Sequence, residues 1–499
     1  MRPAILISFA VASVALIWIA AVERKKAVLK PVEELKIRIT SSTDIPDPAK
    51  IDSAGQWYYL DHISSGLAAF DSGKKQFVPR LAESWQTKPD GTHIFRLSPN
   101  ARFHDGTPIT PKDVVWSIKR QLILRTSTHF PLWDYISGCD QIQTLSDECV
   151  GLKAISDHEI AIHLKAQTDS FFLQLASPET GIWSAADMDA KTSQLVPTKF
   201  SGPYFIADRT PAFALLRRNG YSPLSREFSD SPRTIRLLAI PLSRVDQALA
   251  DRQVDLIVRS YRPLGEPKWA EHGVEYQATT PSKIIYLLAA GRSADRPHVG
   301  SDFIEKAWGA HIDSGLTPAD TFLPFASTYG LSKQEFLAEL PRDTAKRLRV
   351  LCPADFYSER FLAELQAVGR QAGTEIEYHF LPSKEYFRIF DDPAASKSYD
   401  YILDSYAASE RYPAVQLRYI GGSLVQSPID LKPAESPDLT EDRVTILKAY
   451  ARWLLRSRQA IPLFFTATLF LHQSNLDLGA QPSTDAEIEL WRVRERASQ

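Results

Sequence analysis

Residues 77–121 read FVPRLAESWQTKPDGTHIFRLSPNARFHDGTPITPKDVVWSIKRQ, and this stretch predicts two tight turns followed by a helix. Asp90-Gly91 lies between the strand-like residues 82–85 and 94–97, which is a strong short-range signal for a β-hairpin. Asp105-Gly106 predicts a second turn a few residues later. The segment therefore predicts closely spaced antiparallel strands leading into a helix.

The start of that helix is marked by residues that satisfy free backbone amides. Thr110 is a suitable cap, Pro111 is suited to the first helical position, and Asp113 follows the cap by three residues. Apolar residues then recur at helical spacing, at Val114, Ile118 and Leu122. One face of this helix is therefore expected to be buried.

The same segment resembles the N-terminal region of the family 5 extracellular solute-binding proteins, the peptide- and nickel-binding components of ABC importers. The residues that carry the resemblance are LAESW at 81–85, DG at 90–91 and FHDGTP at 103–108. A second stretch, SGPYFI at 201–206 with LRRN at 216–219, is similar to the family's Gly-Pro-Tyr segment and the strand after it.

This resemblance implies an α/β fold, a periplasmic-binding-protein-like clamshell with two α/β lobes and an additional inserted domain. Lobe I would be discontinuous, the inserted domain II would hold the opening motif, and the cleft between the lobes would bind the ligand. The expected boundaries are 32–51, 196–279 and 461–499 for lobe I, 52–195 for domain II, and 280–460 for lobe II.

Strand and helix patterns along the chain agree with two α/β regions. The first pattern has strands at 236–240 and 254–258 around a helix at 242–250. The second has strands at 348–352 and 375–381 around a helix at 358–372, with a further strand at 399–403. A helix at 440–456 precedes an apolar run at 461–471, which we interpret as one buried strand.

The N-terminus predicts export. Residues 4–22 are largely apolar and are followed directly by the charged residues 23–26, so residues 1–30 form either a signal peptide or a membrane anchor. An apolar helix of about 20 residues is long enough to remain in a bilayer. We expect a periplasmic or otherwise extracytoplasmic protein, either free or anchored to the inner membrane by this segment.

Composition excludes several classes of function. The 499 residues include 58 basic and 60 acidic side chains, a net charge of −2, so nothing indicates nucleic-acid binding. No phosphate-binding loop, nucleophile elbow or paired Cys-x-x-Cys motif occurs, and we predict a non-enzyme without cofactor or metal. His104-Asp105 suits a metal or acid–base role in isolation, but its place in a turn motif favours a structural role.

The chain has three cysteines. Cys139 and Cys149 bracket a polar loop that suits a short disulfide in an oxidising compartment, and two unrelated thiols are the alternative. Cys352 ends an apolar strand and is expected to be a buried free thiol.

The resemblance also indicates where a ligand would bind. The early loop at 47–58 and the later loop at 403–413 would face the cleft from opposite lobes, which gives six candidate ligand-binding residues: Gln56, Trp57, Tyr406, Ser409, Glu410 and Arg411. Peptide-binding members carry an aspartate at the position of Ser409, and Glu410 is a candidate substitute. Glu410 and Arg411 form either a clamp for a zwitterion or a solvated loop pair.

The function implied is that of an exported, monomeric substrate-binding protein of an ABC importer. It would capture a peptide or another small polar solute and deliver it to a permease. The alternative is a degenerate, membrane-tethered relative that acts as a sensor or interaction module. Neighbouring permease and ATPase genes would favour transport.

Overall fold

The computed structural model describes most of the chain after residue 28. The described residues are 29–39, 47, 54–71, 74, 76–124, 135–165, 169–188, 195–241, 244–259, 269–279, 281, 283–291, 297–310, 312, 316–323, 330–354, 356–357, 359–390, 392, 394–407, 417, 420, 427–431, 441–479 and 488–497. No helix within these residues is both long and apolar enough to cross a membrane, and the predicted segment 1–30 lies almost wholly outside them.

The strands belong to five sheets. In chain order they are β1 Leu29–Lys30, β2 Glu34–Ile39, β3 Ala68–Asp71, β4 Gln76–Pro79, β5 Ala82–Thr87, β6 Thr92–Leu97, β7 Leu152–Ala154, β8 Glu159–His163, β9 Tyr204–Arg209, β10 Phe213–Arg218, β11 Thr234–Ala239, β12 Leu256–Arg259, β13 Val274–Ala278, β14 Lys283–Ala289, β15 Leu316–Pro318, β16 Arg347–Pro353, β17 Glu375–Leu381, β18 Tyr401–Ala407, β19 Ala460–Thr466, β20 Leu469–Gln473, β21 Leu476–Asp477 and β22 Arg494–Arg496.

The α-helices of the described residues flank these sheets. They are Ala54–Ile63, Pro111–Leu124, Asp169–Leu175, Pro223–Glu227, Val245–Ala250, Ser301–Gly309, Lys333–Ala338, Glu359–Gln371, Ser383–Phe390 and Glu441–Arg456.

The larger sheet has seven strands in the order β13-β20-β12-β2-β11-β10-β9. The central strand β2 is parallel to both β11 and β12, so it separates the two strands of the first predicted β-α-β pattern. Leu35 and Ile37 of β2 are buried in the core of this sheet. Residues from both ends of the chain thus complete one sheet with its middle segment.

The second sheet has six strands in the order β15-β19-β14-β18-β16-β17. The predicted strand–helix–strand pattern is confirmed here: β16 and β17 are parallel neighbours joined by the helix Glu359–Gln371. That helix ends before Gly373, whose φ of 74° is a conformation that glycine adopts at little cost. Apolar residues from β14, β16, β18 and β19 share one core.

The opening motif forms a smaller four-stranded sheet, β5-β6-β8-β7. The predicted hairpin is present: β5 and β6 are antiparallel, and Gly91 takes a φ of 85° in their turn. The helix Pro111–Leu124 begins with the predicted reciprocal cap, in which the Asp113 carboxylate accepts the Thr110 amide at 2.9 Å. Its predicted face is buried in the core of this sheet.

The single strand predicted over 461–471 is wrong. Two strands occupy this run, and they belong to different sheets: β19 lies in the six-stranded sheet and β20 in the seven-stranded sheet. The segment 461–499 that we assigned to lobe I therefore begins with a strand of the other sheet. Every residue of both strands is buried, so neither strand shows an alternation of apolar and polar residues, and the short Thr466-Ala467-Thr468 interruption does not indicate a change of sheet.

Cys139 and Cys149 are joined by a disulfide in the core beside the four-stranded sheet. Cys352 is free and buried in the core of the six-stranded sheet. Burial raises the pKa of its thiol, so it remains protonated and unreactive.

Candidate functional site

Two short segments connect the seven-stranded and six-stranded sheets side by side. Residues 279–282 lead from β13 to β14, and Ala467-Thr468 leads from β19 back to β20. The two segments are hydrogen-bonded to each other: the Thr279 amide donates to the Thr468 carbonyl at 2.9 Å, and the Thr468 amide donates to the Thr279 hydroxyl at 2.9 Å. This double crossover, residues 279–282 with 467–468, has the form of a two-stranded hinge.

The carboxyl ends of parallel strands in both sheets lie at the double crossover. In the seven-stranded sheet, Arg259 at the end of β12 pairs with Leu469 at the start of β20. In the six-stranded sheet, Ala407 at the end of β18 pairs with Lys283 at the start of β14. Ligands of α/β proteins bind outside the carboxyl ends of strands, so the space between these two edges is the candidate site.

The predicted ligand-binding residues are only partly within the described chain. Tyr406 is the penultimate residue of β18 and lies half-buried at the candidate site. Gln56 and Trp57 are in the first turn of the helix Ala54–Ile63, which follows the loop leaving β2; their side chains are outside the described part. Ser409, Glu410 and Arg411 lie outside the described residues. Their roles remain predictions.

Glu179 is a buried acidic residue whose charge acts on Tyr406. It lies in the short 3₁₀ turn Pro178–Thr180, and its residue is only 8% exposed. Burial raises the pKa of the Tyr406 hydroxyl, and the Glu179 charge raises it further. Sequence reasoning missed Glu179, because nothing in Ser177-Pro178-Glu179 distinguishes it from an ordinary capped turn.

The Glu179 side chain and backbone are held by two glutamines. Gln174 donates its side-chain amide to the Glu179 carboxylate at 3.3 Å, and Gln121 donates to the Glu179 carbonyl at 2.6 Å. Both glutamines are buried, at 1% and 7% exposure. The carboxylate therefore has a fixed position before any ligand arrives.

Lys283 adds a basic group at the same edge of the six-stranded sheet. It is the first residue of β14, directly after the crossover, and burial lowers the pKa of its ammonium to about 8. In the sequence, Lys283 is the one charged residue of the otherwise apolar segment KIIYLLA. This pattern does not indicate that the residue lies near a cleft.

The loop that leaves β2 is held by a buried ion pair. Arg120, on the helix Pro111–Leu124, is 4% exposed and donates to the Asp47 carboxylate, with an Nη1–Oδ1 distance of 2.7 Å. A guanidinium that donates two hydrogen bonds to one carboxylate fixes the orientation of both groups as well as pairing their charges. The helix of the opening motif thus fixes the position of Asp47.

His104 has a structural environment. Its ring stacks on Phe205 at a centroid distance of 4.4 Å, and its Nδ1 accepts the Phe200 amide. Trp85 and Trp116 are half-buried and pack against the cores. Among the residues that the structure describes, no cluster of three or more His, Cys, Asp or Glu side chains is placed to hold a metal ion.

Two α/β sheets joined by a double crossover, with strand ends facing a shared space, define a periplasmic-binding-protein-like clamshell. Comparison with solved structures agrees. The structure of the Escherichia coli murein tripeptide binding protein MppA matches with a TM-score of 0.73 at 16% identity, covering 94% of this chain and 100% of that chain. The unliganded open form of MppA matches less closely, with a TM-score of 0.61 at 17% identity over 94% and 99%.

Sequence comparisons show a similarity to one family over part of the chain. Residues 76–292 match the bacterial extracellular solute-binding proteins, family 5 Middle. The match confirms the resemblance to that family stated from the sequence. The periplasmic oligopeptide-binding protein OppA of Escherichia coli strain K12 is 30% identical over 141 residues, which is 27% of this chain and 25% of that protein. The aligned part of the chain thus spans a quarter of this curated relative's length.

Proposed function

We propose that the protein is the exported substrate-binding component of an ABC importer, and that it closes two lobes around a peptide or a similar small polar solute. The observation that carries the proposal is the double crossover between the two sheets, with Tyr406 near the end of β18 beside it. Relatives named for oligopeptide and murein peptide binding support peptides as the ligand class.

The proposed lobes follow the two large sheets. Lobe I would comprise residues 32–51, 196–279 and the chain from Leu469 onward, and lobe II would comprise residues 280–466. The inserted domain would be residues 52–195. This division retains the expected order of segments and moves one boundary from residue 461 to the second crossover at Ala467-Thr468.

Binding is tested by calorimetry with a panel of di- to pentapeptides. We expect saturable binding of at least one length class with one peptide per chain. Replacement Tyr406→Ala should weaken that binding by about tenfold, because a buried ligand-contacting aromatic commonly contributes more than 1 kcal/mol.

Tyr276→Ala is the matched control, since Tyr276 is 46% exposed on the edge strand β13. It should bind the same peptides as the unmodified protein. Wild-type protein that binds no peptide in the panel would contradict the proposed ligand class, and equal binding by Tyr406→Ala would remove Tyr406 from the site.

Delivery to a permease is tested in the source organism. Deletion of the gene should abolish uptake of the peptide that the protein binds, and restoring the gene should recover it. Unimpaired uptake would contradict a transport role and would favour the tethered sensor or interaction module.

A further inference from the structure

We propose that the buried hydroxyl of Thr468 opposes closure of the cleft and so promotes release of the ligand. Thr468 lies in the second crossover segment, Ala467-Thr468, between β19 and β20. The inference rests on the proposed function for its consequence in ligand binding. It concerns the crossover between the sheets, and it assigns no new contact to the ligand.

The Thr468 hydroxyl is enclosed by protein. Thr468 is 0% exposed, and within the described part of the chain no group makes a hydrogen bond to its Oγ1. The neighbouring Thr466 is 1% exposed but differs in this respect, because its hydroxyl donates to the Ala467 carbonyl at 3.3 Å. A buried hydroxyl without a partner is costly, since it has lost the hydrogen bonds that it makes to water.

The backbone of the same residue holds the two crossing segments together. The Thr468 carbonyl accepts the Thr279 amide, and the Thr468 amide donates to the Thr279 hydroxyl, both at 2.9 Å. The flanking residues belong to different sheets, because Thr466 ends β19 in the six-stranded sheet and Leu469 begins β20 in the seven-stranded sheet. Rotation of one sheet against the other must therefore change the surroundings of Thr468.

The direction of the effect follows from how the cost can be removed. The backbone hydrogen bonds to Thr279 stay in place while the sheets rotate, so the hydroxyl gains a partner when water reaches it. Water is admitted when the sheets rotate apart and the cleft widens, and it is excluded when they close. The Thr468 hydroxyl therefore raises the free energy of the closed form relative to the open form, and a bound ligand must offset this difference.

The test compares full-length wild type with Thr468→Val, which keeps the shape of the side chain and replaces the hydroxyl by a methyl group. The variant should bind the tightest-binding peptide of the calorimetry panel about 5- to 10-fold more tightly, because a larger share of the ligand-free protein is closed. In small-angle X-ray scattering without ligand, its radius of gyration should be smaller than that of wild type.

Thr374→Val is the matched control. Thr374 is 1% exposed, and its hydroxyl also has no hydrogen-bond partner among the described residues. It lies between the helix Glu359–Gln371 and β17, away from the crossover and within one sheet and its core. Removal of this hydroxyl should raise the free energy of unfolding and leave both the peptide affinity and the radius of gyration at their wild-type values.

Wild-type affinity or an unchanged radius of gyration in Thr468→Val would overturn the role of Thr468, as would an equal gain in affinity in Thr374→Val. Should Thr468→Val not fold, Thr468→Ala and Thr468→Ser replace it, since these two variants differ by the hydroxyl alone. Equal affinities and equal radii of gyration for that pair would overturn the inference. Absence of peptide binding by wild type would instead overturn the proposed function, and the radius of gyration of ligand-free protein would still test the role of Thr468.

Discussion

At the scale of single residues, buried polar groups of the six-stranded sheet make specific pairs. Asp404 of β18 is 4% exposed and accepts the Tyr286 hydroxyl at 2.9 Å across the strand pair. Burial raises the pKa of this carboxyl to about 6, against the opposing effect of its hydrogen bonds. Asp404 lies on the strand that carries Tyr406, and Tyr286 lies opposite it on β14.

Asp404 should make the protein less stable as pH rises. The folded-state pKa is above the unfolded value of about 4, so the folded state binds more protons between pH 4 and 6, and stability falls across that window. Replacement Asp404→Asn should remove this fall and raise the free energy of unfolding at pH 8 by about 2–3 kcal/mol relative to wild type. Urea unfolding at pH 4 and pH 8 measures it.

Asp61 contributes to the same trend in both proteins, because burial and the Glu489 charge raise its pKa to about 7. The comparison is therefore the difference between Asp404→Asn and wild type at each pH. Identical pH profiles for the two proteins would contradict an ionisable, protonated Asp404 in the folded state.

At the scale of elements, short sequence motifs predict the turns and helix caps that depend on residues close together in the chain. Asp90-Gly91 and the Thr110 cap are present because their hydrogen bonds lie within a few residues of chain. The division of residues 461–471 into β19 and β20 was not predictable in this way, since the change of sheet depends on partners about 190 residues away.

The same distinction applies to the candidate site. Tyr406 was reached through the family resemblance, whereas Lys283 is brought beside the end of β18 by the pairing of two segments that are distant in sequence. No periodicity or short motif encodes those contacts. The side chains of the remaining predicted residues lie outside the described part of the chain, so their roles stay predictions.

The disulfide is an element-scale constraint on the inserted domain. Replacing both Cys139 and Cys149 by serine should lower the free energy of unfolding by about 2–3 kcal/mol, because the open chain regains entropy when unfolded. Denaturant unfolding measures the loss. Cys352 provides an internal reference: unreduced, denatured protein should be alkylated once, at Cys352, and labelling of all three cysteines would contradict the bridge.

At the scale of the whole molecule, the clamshell has two large sheets that the double crossover connects. The Thr279–Thr468 hydrogen bonds keep the two crossing segments together, while each sheet retains its own core. Such a connection allows one sheet and its core to rotate against the other sheet and its core, with little change inside either core. A ligand that contacts both bodies would shift the balance toward the closed form by its differential affinity.

Small-angle X-ray scattering with and without bound peptide tests the central claim most directly. The account predicts that the radius of gyration decreases when the tightest-binding peptide of the calorimetry panel saturates the protein, and that Tyr406→Ala needs about a tenfold higher peptide concentration for the same decrease. An unchanged radius of gyration at full saturation of the wild-type protein would contradict closure of the two lobes around the ligand.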